Sequence, residues 1–159
     1  MKELTEKEAY NKATVYCSRS EHCPSEIMEK LQTWGIESTD TRHRIVCQLI
    51  EEKYIDEARF CQAFVHDKFH FNHWGRQKIA YHLHMKKLPA KFIDEALNLI
   101  GDNDAIEEAK QILSTKIRNI HSTDEYEIYT KLMRYAASKG IEMNIATKAY
   151  NMITKNARE

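Results

Sequence analysis

The chain has 159 residues, of which 42% are apolar and 30% charged, a composition typical of a folded soluble protein and unlike that of a disordered segment. Its 24 basic and 24 acidic side chains cancel, so the net charge gives no reason to expect nucleic-acid binding, and no apolar run approaches the ~20 residues that a membrane span needs. Because the four glycines and two prolines all fall where helices would begin or end, we predict an all-α fold.

The first third of the chain predicts three helices. Thr5 and Glu8 have the spacing of a capping box, which opens a helix ending near Arg19. A second helix begins at Pro24 and stops at Gly35. A third covers about residues 41–53. The inward positions of the three helices recur at helical spacing: Ala9, Ala13, Tyr16, Cys17, Ile27, Leu31, Trp34, Ile45, Leu49 and Ile50.

The same plan restarts twice. Helices are predicted from Asp56 to about residue 71, from Gly75 to about residue 87, and from Pro89 to Gly101. Three more follow: one over 102–119, one opened by a capping box at Ser122 and Glu125 and ended by Gly140, and a last one that buries Ile145, Ala149 and Ile153.

These nine helices are interpreted as three tandem three-helix repeats, at residues 1–55, 56–101 and 102–159. The second helices carry an Ile-x-x-x-Leu pair, followed by an apolar residue before the next helix: Ile27, Leu31 and Ile36; Ile79, Leu83 and Leu88; Ile128, Leu132 and Ile141. The third second helix is about one turn longer than the others. We expect such an array to be elongated, and the alternative is a single compact helical domain with accidental periodicity.

No catalytic pattern emerges: the chain lacks a Gly-rich phosphate loop, G-x-S-x-G and H-E-x-x-H. His66, His70 and His73 share one predicted helix face and could hold a metal, but no carboxylate accompanies them at matching spacing, so a basic surface is favoured over a metal site. We therefore expect neither an enzyme nor a cofactor. The four cysteines lack C-x-x-C spacing and the polar start of the chain has no signal-peptide pattern, so we expect reduced thiols in a cytoplasmic protein.

The middle of the chain is locally basic, with six Lys or Arg against one acid between residues 66 and 91. At Trp74-Gly75-Arg76 the chain turns into a helix, where free backbone N–H groups and a guanidinium would favour a phosphate or carboxylate. Lys78, Tyr81 and Lys86 lie off the buried face of that helix. The alternative is that Trp74 fills the core between helices and the charges are solvated.

Residues 54–60 read Tyr-Ile-Asp-Glu-Ala-Arg-Phe, Phe64-Val65 follows, and residues 74–83 read Trp-Gly-Arg-x-Lys-Ile-x-x-x-Leu. This sequence pattern resembles the signature of the RecX regulatory proteins, which are bacterial modulators of the recombinase RecA. In that family a Gly-Tyr-Leu-Asp-Asp-x-Arg-Phe-like segment precedes a Gly-x-x-x-Ile-x-x-x-Leu helix ending in Lys-Gly. Lys53 replaces the family's Gly before Tyr54, and Lys87-Leu88 replaces its Lys-Gly-Ile ending.

The resemblance implies a curved array of three-helix repeats that lies along the groove of the RecA–single-stranded DNA filament and dampens ATP hydrolysis, strand exchange and co-protease action. We expect a monomer with no membrane contact. Two alternatives stay open: a stand-alone helical DNA-binding module and a helical-repeat scaffold for another protein. Residues predicted to contact the partner or the nucleic acid are Arg59, Lys68, Trp74, Gly75, Arg76, Lys78, Tyr81, Lys86 and Lys87.

Overall fold

A computed structural model of the protein describes residues 3–158, and within that range the chain forms nine α-helices and no strand. The predicted all-α fold class is confirmed. The helices are α1 (Glu6–Arg19), α2 (Pro24–Thr33), α3 (Thr39–Glu51), α4 (Glu57–His70), α5 (Arg76–Met85), α6 (Ala90–Leu97), α7 (Asp102–Ile117), α8 (Glu125–Ser138) and α9 (Met143–Arg158). Residues 1, 2 and 159, which the first and third predicted repeats include, lie outside the described residues.

The chain divides into two compact units. The first comprises the residues up to Ala63 together with Leu83–Ile93, and in it α1, α2 and α3 pack against one another. The second comprises Phe64–His82 and the residues from Asp94 onward, and in it α7, α8 and α9 pack against one another. The three predicted repeats concern similarity between parts of the chain, whereas the two units reflect which parts pack together. The boundaries of the repeats therefore stay a prediction.

Local side-chain chemistry explains where several helices start. The Thr5 hydroxyl accepts a hydrogen bond from the Glu8 N–H at 3.1 Å, while the Glu8 carboxylate accepts one from the Thr5 N–H at 3.4 Å, so the predicted capping box is confirmed. Helix α3 starts two residues before the predicted position because the Ser38 hydroxyl caps it by accepting from the Thr41 N–H.

The predicted start of α8 is wrong in its capping residue. Asp124 is the N-cap, and its carboxylate accepts from the Tyr126 N–H at 3.0 Å. The Ser122 hydroxyl instead accepts from the Asp124 N–H and donates to Glu127, which orders the residues before the helix. The greater length of α8 is confirmed, since it has 14 residues where α2 and α5 have 10 each.

Most of the inward positions predicted for the first three helices are confirmed, and Tyr16, Cys17 and Trp34 are only partly buried against the core of the first unit. Its buried residues are Ala9, Ala13, Ile27, Leu31, Ile36, Ile45, Val46, Leu49 and Ile55. Ile50, predicted to face inward, is 40% exposed, and Val46 is buried in α3 instead. Both residues lie one position from a buried residue, so the period alone could not decide between them.

All three second helices end in the same backbone motif. The second residue after each helix has a left-handed conformation, with φ of +97° at Gly35, +62° at Lys87 and +78° at Gly140. The next residue is buried and apolar, and its N–H donates to the carbonyl five residues earlier: Ile36 to Leu31, Leu88 to Leu83 and Ile141 to Ala136. This is the Schellman motif, in which the left-handed residue closes the helix. Its recurrence supports the proposed threefold repeat.

Two general features bear on function. None of the helices in the described range is long and apolar enough to cross a membrane. The four cysteines form no disulfide, and burial raises the pKa of the Cys17 and Cys61 thiols to about 11, which keeps both protonated and weakly nucleophilic at neutral pH.

Candidate partner-binding surface

The predicted contact residues belong to both units. Six of them lie in the second unit: Lys68, Trp74, Gly75, Arg76, Lys78 and Tyr81. Three lie in the first: Arg59, Lys86 and Lys87.

Gly75 is a packing residue. It is buried, and its N–H donates to the Lys139 carbonyl at 2.6 Å, while the Gln77 N–H donates to the Gly140 carbonyl at 3.0 Å. The expectation that the start of α5 offers these N–H groups to a phosphate is therefore wrong, because the turn that ends α8 already caps them. A side chain at position 75 would collide with the backbone of Gly140.

Arg76 is held by its own chain. Its guanidinium donates two hydrogen bonds to Glu142, at 2.9 and 2.6 Å, one to Asp102 at 2.9 Å and one to the Ile100 carbonyl at 3.1 Å. The hydrogen bond with Glu142 raises the pKa of Arg76 against the effect of burial, and the side chain is only 18% exposed. Its interpretation as a phosphate-binding group is corrected accordingly: the charge is neutralised by two carboxylates within the second unit.

Trp74 stands at the centre of a cationic cluster. Its partly buried indole meets the Phe64 ring edge-on with 6.4 Å between ring centres and stacks at a tilt on His82 at 4.6 Å. The ammonium groups of Lys68 and Lys78 lie 4.9 and 4.7 Å from its ring centre, within the range of cation–π attraction. No carboxylate within residues 3–158 forms an ion pair with either lysine. The indole thus holds two ammonium groups close to its ring, and both keep their positive charge.

Tyr81 lies about one turn after Lys78 along α5 and is 61% exposed. Among the described residues, His82 is the one aromatic ring that it contacts, in an edge-on arrangement. Together, Lys68, Trp74, Lys78 and Tyr81 are called the Trp74 surface below. It combines positive charge that no carboxylate balances with exposed aromatic rings. The charge suits phosphate groups of a partner, and the rings suit planar groups that stack or pack on them.

Arg59, in the first unit, has a structural role. Its guanidinium donates to Glu21 at 2.5 Å and to the carbonyls of Lys53 and Tyr54 at 3.3 and 3.4 Å. Both carbonyls lie just after the end of α3, where backbone carbonyl groups have no hydrogen-bond partner within the helix. The Arg59 guanidinium supplies that partner, and its positive charge complements the negative end of the helix dipole.

Lys86 is also engaged, whereas Lys87 is exposed. The Lys86 ammonium donates to Glu26 at 3.1 Å. Desolvation raises the pKa of Glu26, but the hydrogen bonds from Lys86 and the Cys23 N–H and the charges of Lys86 and His22 outweigh it, so the net pKa is lowered. The carboxylate is therefore stabilised in its ionised form.

The predicted common face of three histidines does not form. The rings of His66 and His70 lie 4.6 Å apart on α4, but His73 follows the helix end with φ of +57° and pairs with Glu108 at 2.5 Å. Among the described residues, no group of three or more His, Cys, Asp or Glu side chains is arranged to hold a metal ion.

Glu142, Asp102 and Glu108 are the residues that the sequence interpretation missed. They decide which basic groups of the middle segment remain available, yet they stand 26 to 66 positions away in the chain from Arg76 or His73. A local count of charges cannot detect such pairs.

The comparisons with known proteins agree with the resemblance noted above. A family model described as RecX, second three-helix domain, matches residues 56–97, which include the whole Trp74 surface. The regulatory protein RecX of Clostridium tetani is 29% identical over 146 residues, covering 88% of this chain and 66% of the relative. That of Acinetobacter baylyi is 25% identical over 136 residues, covering 86% and 82%. The chain spans only 61 to 66% of the length of the relatives from Clostridium tetani and Clostridium perfringens.

Solved structures share the fold. The crystal structure of RecX from Lactobacillus salivarius matches with a TM-score of 0.82 at 22% identity, covering 94% of this chain and 96% of the other. A second crystal structure, of a regulatory protein RecX, matches with a TM-score of 0.85 at 20% identity and covers 92% and 73%. At this identity the likeness concerns the fold.

Proposed function

Because the chain belongs to the RecX family of regulatory proteins, we propose that it is a non-enzymatic regulator that binds the RecA–single-stranded DNA filament and restrains its ATPase, strand-exchange and co-protease activities. The observation that carries this proposal is the match of residues 56–97 to the RecX second three-helix domain, since that segment holds the Trp74 surface. The protein acts in the cytoplasm as a monomer and in the repair and recombination of DNA.

The Trp74 surface is the proposed contact. Lys68 and Lys78 supply positive charge that no carboxylate of the described residues neutralises, and Tyr81 offers an exposed ring for packing or stacking. Lys87 is a further exposed cation. The other four predicted contact residues serve this function indirectly, because their intramolecular hydrogen bonds hold in place the helices that carry the contact residues. They are Arg59, Gly75, Arg76 and Lys86.

Three tandem three-helix repeats, at 1–55, 56–101 and 102–159, suit this role. A filament is itself a repeating assembly, so more than one three-helix repeat of the chain can contact it. The shared ending of α2, α5 and α8 supports this organisation.

The direct test is the RecA ATPase on single-stranded DNA, with wild type and two variants of equal charge change. Lys68→Glu/Lys78→Glu removes the cations of the Trp74 surface, and Lys148→Glu/Lys155→Glu alters two exposed lysines of α9. We expect wild type and the α9 variant to lower the ATPase rate equally and the surface variant to lower it much less.

Two outcomes would count against the proposal in different ways. An ATPase unchanged by saturating wild-type protein removes the regulatory function. Full inhibition by the surface variant moves the contact elsewhere. Tight binding to naked DNA with no effect on the filament would favour the stand-alone DNA-binding alternative.

A further inference from the structure

Two histidines near the end of α4 form a pair that shares no residue with the Trp74 surface. His66 and His70 stand four residues apart, so they lie on the same side of the helix, one turn from each other. Both residues are exposed, and the centres of their rings are 4.6 Å apart. The structure therefore replaces the predicted set of three histidines by two adjacent and accessible imidazoles.

The spacing of this pair suits chelation of a single ion. A transition metal binds an imidazole nitrogen at about 2.0–2.1 Å, so two such nitrogens on one ion stand about 3 Å apart. Rings whose centres lie 4.6 Å apart reach that separation through small rotations of the two side chains. Because α4 fixes the backbone of both residues, an ion bound by one imidazole meets the second at high effective concentration.

The Asp67 carboxylate orients one of the two rings. Its Oδ1 lies 3.3 Å from His66 Nδ1, within hydrogen-bonding distance. In the neutral imidazole, Nδ1–H donates to this carboxylate and the lone pair on Nε2 is free. A carboxylate is a common partner of a metal-binding histidine, because it fixes the tautomer and makes the ring a better ligand.

Neighbouring aromatic rings limit the motion of the pair. Phe71 meets the His66 ring edge-on with 6.1 Å between ring centres, and Phe69 meets the His70 ring edge-on at 5.1 Å. Phe69 is buried, so the second of these contacts is anchored in the core. The two imidazoles therefore lose less freedom when they bind an ion than two isolated side chains would.

The surroundings of His70 favour a cation. It is the last residue of α4, where the negative end of the helix dipole lies. It also lines a hollow of about 260 Å³ together with Asp104, Glu107 and Glu108. Of these carboxylates, that of Asp104 forms no ion pair within residues 3–158. An ion at the histidine pair therefore has negative charge beside it.

We propose that His66 and His70 bind one divalent ion of the late first-row transition metals, a class that imidazole ligands suit. The two imidazole nitrogens are the protein ligands, and water fills the other coordination positions, since no group of three or more ligating side chains is arranged around an ion among the described residues. The site goes beyond the function proposed above, because it needs neither a recombinase nor the Trp74 surface.

Isothermal titration of NiCl₂ into the chain, purified without a histidine tag and kept reduced, tests the proposal. We expect wild type to bind one Ni²⁺ per chain and His66→Ala/His70→Ala to bind about 10²-fold more weakly, the lower end of the gain that two linked donors provide. The matched control, His43→Ala/His121→Ala, removes two exposed histidines that belong to α3 and to the loop before α8. It should keep the wild-type affinity.

Three further measurements identify the ligands. Asp67→Asn should bind Ni²⁺ about tenfold more weakly, because the partner that orients His66 loses its charge. MgCl₂ should neither bind nor compete at the same concentrations, since Mg²⁺ prefers oxygen ligands. Cys47→Ser removes an exposed thiol and should bind Ni²⁺ as wild type does.

Absence of Ni²⁺ binding by wild type, or an equal loss in the two double variants, overturns the proposal. Competition by Mg²⁺ would place the ion on the carboxylates of the hollow, and a loss in Cys47→Ser would place it on a thiol, so either result also contradicts the histidine site. Circular dichroism checks that each variant is folded. If the alanine pair unfolds the chain, His66→Gln/His70→Gln replaces it, with the same results counting for and against.

These measurements contain no recombinase and no DNA, so their failure leaves the proposed function standing. An ATPase of the filament that the chain does not change would, conversely, remove the proposed function and leave the metal site standing.

Discussion

Gly75 and Gly140 approach each other so closely that neither position has room for a side chain. A Cβ on Gly75 would collide with the carbonyl of Gly140, and one on Gly140 would collide with Lys78. At Gly140 the backbone is also left-handed, with φ of +78°, which favours glycine independently. The turn that ends α8 can therefore cap the start of α5 by direct backbone contact.

Replacing Gly75 by serine is expected to destabilise the protein by about 1–3 kcal/mol, the usual cost of forcing atoms into a packed site. Urea denaturation measures this change. Gly101→Ser is the matched control: nothing lies within 4 Å of a Cβ there, and serine is a good residue before a helix, so little loss is expected. Equal stability of the two variants would contradict the close contact.

The ion pair of Arg76 with Glu142 is expected to contribute more than an exposed pair. Its side chains are only 18% and 24% exposed and share two hydrogen bonds, so Arg76→Ala should cost about 2–3 kcal/mol, with a coupling of about 1–3 kcal/mol in a double-mutant cycle with Glu142→Ala. The control cycle uses Arg44 and Glu6, exposed by 62% and 48%, where coupling below about 1 kcal/mol is expected. Similar couplings in both cycles would refute the difference.

Two lysines occupy left-handed positions that suit glycine. Lys53 and Lys87 have φ of +64° and +62°, and both are exposed, so their side chains gain little packing in return. Lys53→Gly and Lys87→Gly should each raise the free energy of unfolding by about 1 kcal/mol. Lys148→Gly, at an exposed position inside α9, should lower it by about the same amount. Thermal unfolding of the three variants decides, and a loss at 53 or 87 would show that the lysines are not strained.

The pair of Glu26 with Lys86 predicts a pH dependence in acid. Because the pKa of Glu26 in the folded protein lies below its ordinary value of 4.5, its stabilising effect is complete above pH 4.5 and is lost as the pH falls through the folded pKa. Unfolding by urea at a series of pH values should therefore show a flatter acid limb in Glu26→Gln than in wild type. Glu29→Gln, on the exposed side of α2, serves as control and should keep the wild-type limb. A wild-type limb in Glu26→Gln would exclude this contribution.

The helices were largely predictable from the sequence because their signals are local. Apolar spacing, the Thr5 capping box, Pro24 and Gly140 each act within a few residues of the boundary they set. Where two local signals competed, prediction failed: Asp124 outcompeted Ser122 as the cap of α8 because its carboxylate reaches the Tyr126 N–H.

The candidate surface was less predictable because availability depends on distant residues. Arg76 and Lys78 look equivalent in the sequence, yet the Arg76 guanidinium meets Glu142 and Asp102 while the Lys78 ammonium contacts only an indole among the described residues. The last third of the chain has balanced charge overall, and only folding separates its acidic and basic residues.

The additional turn of α8 makes this helix a spacer of defined length. From the first residue to the buried leucine, α2, α5 and α8 match one another, so the extra four residues lie between Leu132 and the Gly140 turn. At 1.5 Å per residue they carry that turn about 6 Å further along the helix axis, to where it meets Gly75. If one whole turn were removed from α8, its buried side chains would still face the core. The turn at Gly140 would no longer reach Gly75, however, and the start of α5 would lose its cap. Insertions and deletions in α8 should therefore be rejected even in multiples that preserve the helical face, whereas the loop before it can vary in length.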